Sequence, residues 1–177
     1  MISFKEYCKI IKEDWGKTSP IPKEVYDFPD PLKSVNWIDL GLPSGTLWAD
    51  TNVTSLLDGS PYWNWDDIMS SAYKDFVPTK EQFIELFDMK NTDPYANENG
   101  YEIISKRNGN RLLLPAEGLR QMGVVKRAGD CFGYYQIAEP VDKNYARCWL
   151  FHRRYVNLDS VCGRNCGLSV RLVKSKE

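Results

Sequence analysis

The sequence predicts an α+β fold of two helices and short antiparallel strands joined by irregular loops. Three observations carry this expectation. Apolar residues recur at helical spacing only in the first half, and one such run is headed by Thr79 with Gln82 three residues on. Past Asn91 the period drops to that of a strand, in Gly100–Ser105 and Arg111–Pro115 on either side of Asn108-Gly109. A hydrophobic content of 42% with six Trp supplies enough apolar surface for a real core in a chain of 177 residues.

The elements follow in order. Ser3-Phe-Lys-Glu6 has the form of a capping box, and Phe4, Tyr7, Cys8, Ile11 and Trp15 continue it at helical spacing up to Gly16. Pro20, Pro22, Pro29 and Pro31 make residues 17–34 an extended connector. Residues 1–34 are thus expected to be an appended helix and linker, docking on the domain, on a partner or on a second copy. The domain proper is expected over 35–177. Val35–Leu40 alternates as a strand, Leu42-Pro-Ser-Gly45 turns the chain, and Thr46–Ala49 reads as a second strand. Leu56–Trp65 is turn-rich and aromatic, and Asp66–Tyr73 is expected to form a short helix. Thr79 caps the next helix, whose buried face is Phe83, Leu86 and Phe87. Ala116–Phe132, with its glycines, reads as a long loop. Beyond it, Trp149 and Phe151 share one face of a strand, and Cys148, Leu150 and His152 share the other. That second face is neither cleanly polar nor cleanly apolar, which is the character of a contact surface. The chain then runs through Gly167 into an apolar strand, Leu168–Val173.

Charge and cysteine content narrow the function classes. A net charge of −1 gives no bulk attraction to nucleic acid or membrane, and the arginines at 147, 153, 154, 164 and 171 lack the clustering of a phosphate-tracking groove. Five cysteines at irregular spacing and a single histidine do not make a closed zinc site, so free thiols in a reducing compartment are expected, without metal or cofactor. The first residues have neither the basic start nor the apolar run of a signal peptide, and no stretch is long enough to span a bilayer. A cytoplasmic or phage-particle location is the expectation.

Five blocks in series resemble the Fibrobacter-type major paralogous domain, common in gut Bacteroidetes and their phages. They are Trp37-Ile-Asp-Leu-Gly-Leu-Pro-Ser-Gly-Thr-Leu-Trp-Ala49, Tyr62-Trp-Asn-Trp-Asp66, Pro78-Thr-Lys-Glu-Gln-Phe83, Asn108-Gly-Asn-Arg-Leu-Leu-Leu-Pro115 and Gly167-Leu-Ser-Val-Arg-Leu-Val173. The resemblance covers roughly residues 35–173. It implies a C-type-lectin-like fold, shared with formylglycine-generating enzymes and with the variable proteins of diversity-generating retroelements. It also implies that the last strand, Leu168–Val173, pairs with the strand around Trp37–Leu40. In such variable proteins adenine mutation, mostly in Asn codons, rewrites the outward residues and cannot produce Lys, Glu, Gln, Met or Trp. Between Arg147 and Val173 the chain has none of these except Trp149, at a framework position. Gln136, in a block where the family usually has Trp-Ser-Ser-Thr-Pro, cannot arise that way, so the rewritten zone begins near Arg147.

Three functional readings follow. The favoured one is a binding module whose hypervariable face recognises a protein or cell-surface glycan. Its contact residues are Arg147, Cys148, Leu150, His152, Arg154, Tyr155, Asn157, Asp159, Ser160 and Asn165, while Trp149, Phe151 and Val156 point inward. The second is an enzyme resembling formylglycine generators. Cys162 and Cys166 are its only suggestion, and no acid or base is placed by sequence to activate them. The third is a calcium-dependent lectin. Glu139-Pro140-Val141 resembles its ligand triplet, but Val141 lacks the oxygen donor a hard cation wants.

Overall fold

Among the described residues, four small antiparallel sheets and two short helices make an α+β arrangement, as the sequence predicts. The computed structural model describes residues 32–54, 59–128 and 131–176. The expected N-terminal helix and its proline-rich connector lie outside the described residues.

The first sheet joins the two ends of the described chain. β1 (Trp37–Asp39) pairs with β2 (Thr46–Ala49) across the Leu42–Gly45 turn, and β2 pairs on its other edge with β11 (Val173–Ser175). The expected partnership of the last strand with the strand around Trp37–Leu40 is therefore corrected: both lie in one sheet, but β2 stands between them. The physical reason is locality. A short turn lets β1 and β2 close first as a hairpin, leaving the far edge of β2 for the C-terminal strand.

Helix α1 (Trp65–Met69) is shorter than expected, and a 3-10 turn at Lys74–Phe76 follows it. Helix α2 (Lys80–Phe87) begins as the sequence predicts. The Thr79 hydroxyl accepts from the Gln82 amide while the Gln82 side chain accepts from the Thr79 amide. Its face Phe83 and Leu86 is fully buried.

The second sheet contains β3 (Thr92–Asn97), β4 (Gly100–Ser105) and β5 (Arg111–Pro115) in that order. Asn108-Gly109 does not form the two-residue turn its sequence suggests. Ile104 pairs with Arg111, and a longer loop is held by the Ser105 hydroxyl, which accepts from the Arg107 and Asn108 amides. The Asn108 side chain is drawn away to donate to the Asp39 carbonyl at 2.8 Å. Residues 116–132 are not all loop: β6 (Leu119–Gln121) and β7 (Val124–Lys126) make a tight hairpin with Met122 and Gly123 at positive φ.

The third sheet has β9 (Tyr145–His152) at its centre between β8 (Gly133–Pro140) and β10 (Tyr155–Gly163). Helix α2 lies on one face of it. There Phe83 stacks on Trp149 with ring centroids 4.8 Å apart, and Trp48, Tyr135, Phe87 and Phe151 complete an aromatic core. Gly133 is glycine because the Phe151 ring lies over it, where an added Cβ would come within 2.1 Å.

One segment ties the sheets together. Every residue from Cys166 to Val173 is buried. Rather than forming one strand, this strap exchanges backbone hydrogen bonds in turn with Trp63, with Tyr134 and Gln136 of β8, and with Val53 and Ala49. Burial on both faces explains its nearly continuous apolar sequence. Its one charge, Arg171, is 1% exposed. That guanidinium donates to the Ala49, Asp50 and Leu113 carbonyls and to the Asn52 side chain, so each of its three nitrogens has an acceptor.

Candidate functional site

The β9–β10 hairpin carries every strand-borne residue of the expected contact face, and alternation sorts them. Trp149 and Phe151 face helix α2 and are fully buried, and Val156, opposite Phe151, packs half-buried against the same core. The other face pairs His152 with Tyr155, Leu150 with Asn157 and Cys148 with Ser160. An irregularity between Asn157 and Ser160 inserts an extra residue and shifts the phase of alternation.

The expected site separates into parts. His152, Arg154, Tyr155 and Asn157 cluster at the hairpin turn with exposed or half-exposed side chains, Tyr155 being 48% exposed. Leu150 is half-buried beside them. Cys148 is a correction. It is 0% exposed and belongs to a small second core with Tyr134, Cys166 and Leu168, because this end of the outer face is roofed by the C-terminal strap. Arg147 and Asp159 are corrections too. Arg147 shares the Trp149 side of β9, where its guanidinium reaches Glu139 and Asp159, and Asp159 also pairs with Lys80 of helix α2. The irregularity in β10 is what places Asp159 there, and the Lys80 ammonium holds its carboxyl below the usual carboxylate range. Asn165 is exposed but lies past Gly163, beyond the opposite end of β10 from Tyr155, roughly 25 Å along the strand. Ser160 is half-buried, opposite Cys148.

Two residues outside the sequence-predicted set complete the turn-end cluster. The Phe132 ring packs on His152 at 4.5 Å, His152 packs on Tyr155 at 5.5 Å, and the Arg127 guanidinium covers Phe132 at 4.7 Å. The result is a strip of three rings with the Arg127 guanidinium over one end. The Arg154 amide donates to His152 Nδ1 at 3.4 Å. Packed rings beside a guanidinium group offer apolar area and directional hydrogen bonding at little cost in side-chain entropy. Phe132 and Arg127 fall in the stretch that reads as loop, and no periodicity there signals their place.

The other sequence candidates have structural partners. Glu139 accepts from the Lys80 amide and faces Arg147, so both its oxygens serve helix α2 and the neighbouring strand rather than a cation. Trp63 and Trp65 are core residues whose indole N–H groups donate to the Val53 and Ile137 carbonyls. Arg164 covers Trp65 at 4.1 Å and pairs with Asp66. The five arginines are thus dispersed, from the buried Arg171 to the exposed pair at 153 and 154. The Cys166 thiol donates to the Asn165 side chain, while Cys162 accepts from Cys148 at 3.2 Å. A shallow depression of about 420 Å³ lies between Gly41, Pro43 and Arg107, where the nearby charges are engaged by the Lys176–Asp39 ion pair and the Gly41 carbonyl.

Among the described residues no helix is long and apolar enough to cross a membrane. Comparison with family models, with curated protein sequences and with solved structures gives no match.

Proposed function

We propose that this chain is a ligand-binding module of C-type-lectin-like architecture that presents a variable face to a protein or cell-surface glycan. The observation that supports it is the division of labour along one hairpin. Trp149 and Phe151 anchor it in the aromatic core, while His152, Arg154, Tyr155 and Asn157 share its outward end and bear no part of that core. Side chains there are replaceable without repacking, which is what a diversified surface requires. The face is smaller than the sequence suggests, running from Asn157 to the hairpin turn and on to Phe132 and Arg127. On this reading the work is done by binding, without catalysis or cofactor.

Two measurements test it. Retroelement diversification predicts a near-copy of codons 147–173 beside a reverse transcriptase gene downstream, with adenine-directed differences between the copies. Matching copies, or no copy, would remove that half of the proposal. For binding, a glycan microarray and a panel of bacterial surface proteins should give a hit that weakens by about 1 kcal/mol or more in Tyr155→Ala and Arg154→Ala, as expected of anchor residues. Their stability should stay within about half a kcal/mol of the parent. A hit indifferent to both changes would place the ligand elsewhere.

A further inference from the structure

Beneath the exposed strip lies a pair of thiols that the binding reading does not use. Cys148 of β9 and Cys162 of β10 are diagonal neighbours, since Cys148 stands opposite Ser160 and Cys162 opposite Ala146. Their sulfur atoms are 3.2 Å apart, with the Cys148 thiol donating to Cys162. Leu150, Tyr134 and Leu168 surround them with apolar surface. Cys148 is fully buried and Cys162 half-buried, so a reagent from solvent meets Cys162 first.

We propose that Cys148 and Cys162 form a reversible disulfide that staples the β9–β10 hairpin. Three features of the site support it. The two strands already fix both residues on one face of the ladder with their sulfur atoms 3.2 Å apart, so the sulfurs need approach by only about 1 Å to reach bonding distance. The roles of the sulfurs are differentiated: donation to Cys162 pushes the Cys148 thiol up together with its burial, while the same bond draws Cys162 down toward the thiolate. The position is also mechanically apt, because Cys148 opposite Ser160 is the first pair at which the ladder resumes after the irregularity in β10. A bond there encloses the residues from Trp149 to Val161, and with them His152, Arg154, Tyr155 and Asn157.

The oxidant is a low-molecular-weight disulfide. The Cys162 thiolate attacks one sulfur of it, breaking that S–S bond and releasing one thiolate, which takes a proton from solvent. Cys148 then gives its proton to solvent, and its thiolate attacks the Cys162 sulfur, releasing the second small thiol. The protein loses two protons and two electrons, and the small disulfide, taking up both, is reduced to two thiols.

The test uses the full 177-residue chain equilibrated with oxidised glutathione or with dithiothreitol, then alkylated under denaturing conditions and mapped by mass spectrometry. The expected result is a Cys148–Cys162 linked peptide in the oxidised sample, and alkylation of both in the reduced one. The oxidised chain should melt higher by about 6 °C, as a closed loop of this length implies. That shift should vanish in Cys162→Ser and persist in Cys131→Ser. Free Cys148 and Cys162 after oxidation, or a link from Cys162 to Cys166 instead, would overturn the proposal, and the mapping decides this on the parent chain even where a variant folds poorly. No ligand enters the measurement, so its failure leaves the binding reading untouched, and a Tyr155→Ala chain that still binds leaves the crosslink untouched.

Discussion

Trp149 concentrates much of the core's packing in one side chain. Its ring touches Phe83, Phe87, Tyr135 and Phe151, with centroids between 4.6 and 5.6 Å away. Truncation to Ala leaves a cavity that four aromatic neighbours on three different elements cannot fill together, so Trp149→Ala is expected to cost about 3–5 kcal/mol in chemical denaturation. Trp149→Phe should cost distinctly less. The indole Nε1 is buried with no hydrogen-bond partner, so that replacement removes an unsatisfied donor along with some volume. Equal losses for the two variants would show that something other than lost volume sets the cost. The inward direction of Trp149 and Phe151 was legible from alternation alone. Alternation did not reveal that Cys148, on the opposite face, is just as buried. Its cover comes from Cys166 and Leu168, residues remote from it in the chain, and strand periodicity carries no information about such a roof. Asp159 escaped for a related reason, because a bulge in β10 moves a side chain across the sheet without leaving a mark in the residue pattern, whereas Arg147, two residues from Trp149 on β9, lies where alternation puts it.

Elements with their own local chemistry were the legible ones. Helix α2 starts where Thr79 and Gln82 cap one another's amides, a motif complete within four residues. Thr79→Ala should therefore destabilise the domain by about 1 kcal/mol, the usual worth of an N-cap, without altering its far-ultraviolet circular dichroism. A loss near zero would mean that the Glu139 carboxylate, which already accepts from the Lys80 amide, holds the helix start unaided. β1 and β2 were equally plain, since alternating residues flank a turn with Gly45 at positive φ. Elements that owe their existence to neighbours were not. β3 contains Asp93, Pro94 and Asn97, poor strand formers, and exists as the edge of the β4 ladder. The β6–β7 hairpin is held in part by Arg120 exchanging backbone bonds with Gly167, a contact across 47 residues that no local signal announces.

At the scale of the whole domain, the C-terminal strap decides which strands become neighbours. It runs between the β1–β2–β11 sheet and the β8–β9–β10 sheet and gives its backbone bonds to both sides, so the last residues of the fold are also its interior. The apolar character of Leu168–Val173 was plain in the sequence, but its several partners were not, because a continuous apolar run does not say how many neighbours share it. Arg171 shows what the arrangement demands. A guanidinium can donate in several directions in one plane, and here those donations reach Ala49, Asp50, Asn52 and Leu113, closing two separate chain segments, 49–52 and β5, around the strap. Burial alone draws the Arg171 pKa down, yet the charge is kept by these acceptors and by the nearby Tyr135 and Glu117. Lysine carries the same charge on a single nitrogen and cannot satisfy this fork, so Arg171→Lys should behave as a loss rather than a conservative change. Both Arg171→Lys and Arg171→Met are expected to lose about 3–5 kcal/mol, because either leaves buried carbonyls without donors. The midpoint of thermal unfolding should fall by about 8 °C or more, followed by tryptophan fluorescence. Retention of the parent midpoint by Arg171→Lys would show that charge alone, rather than the forked set of hydrogen bonds, holds the strap in the interior.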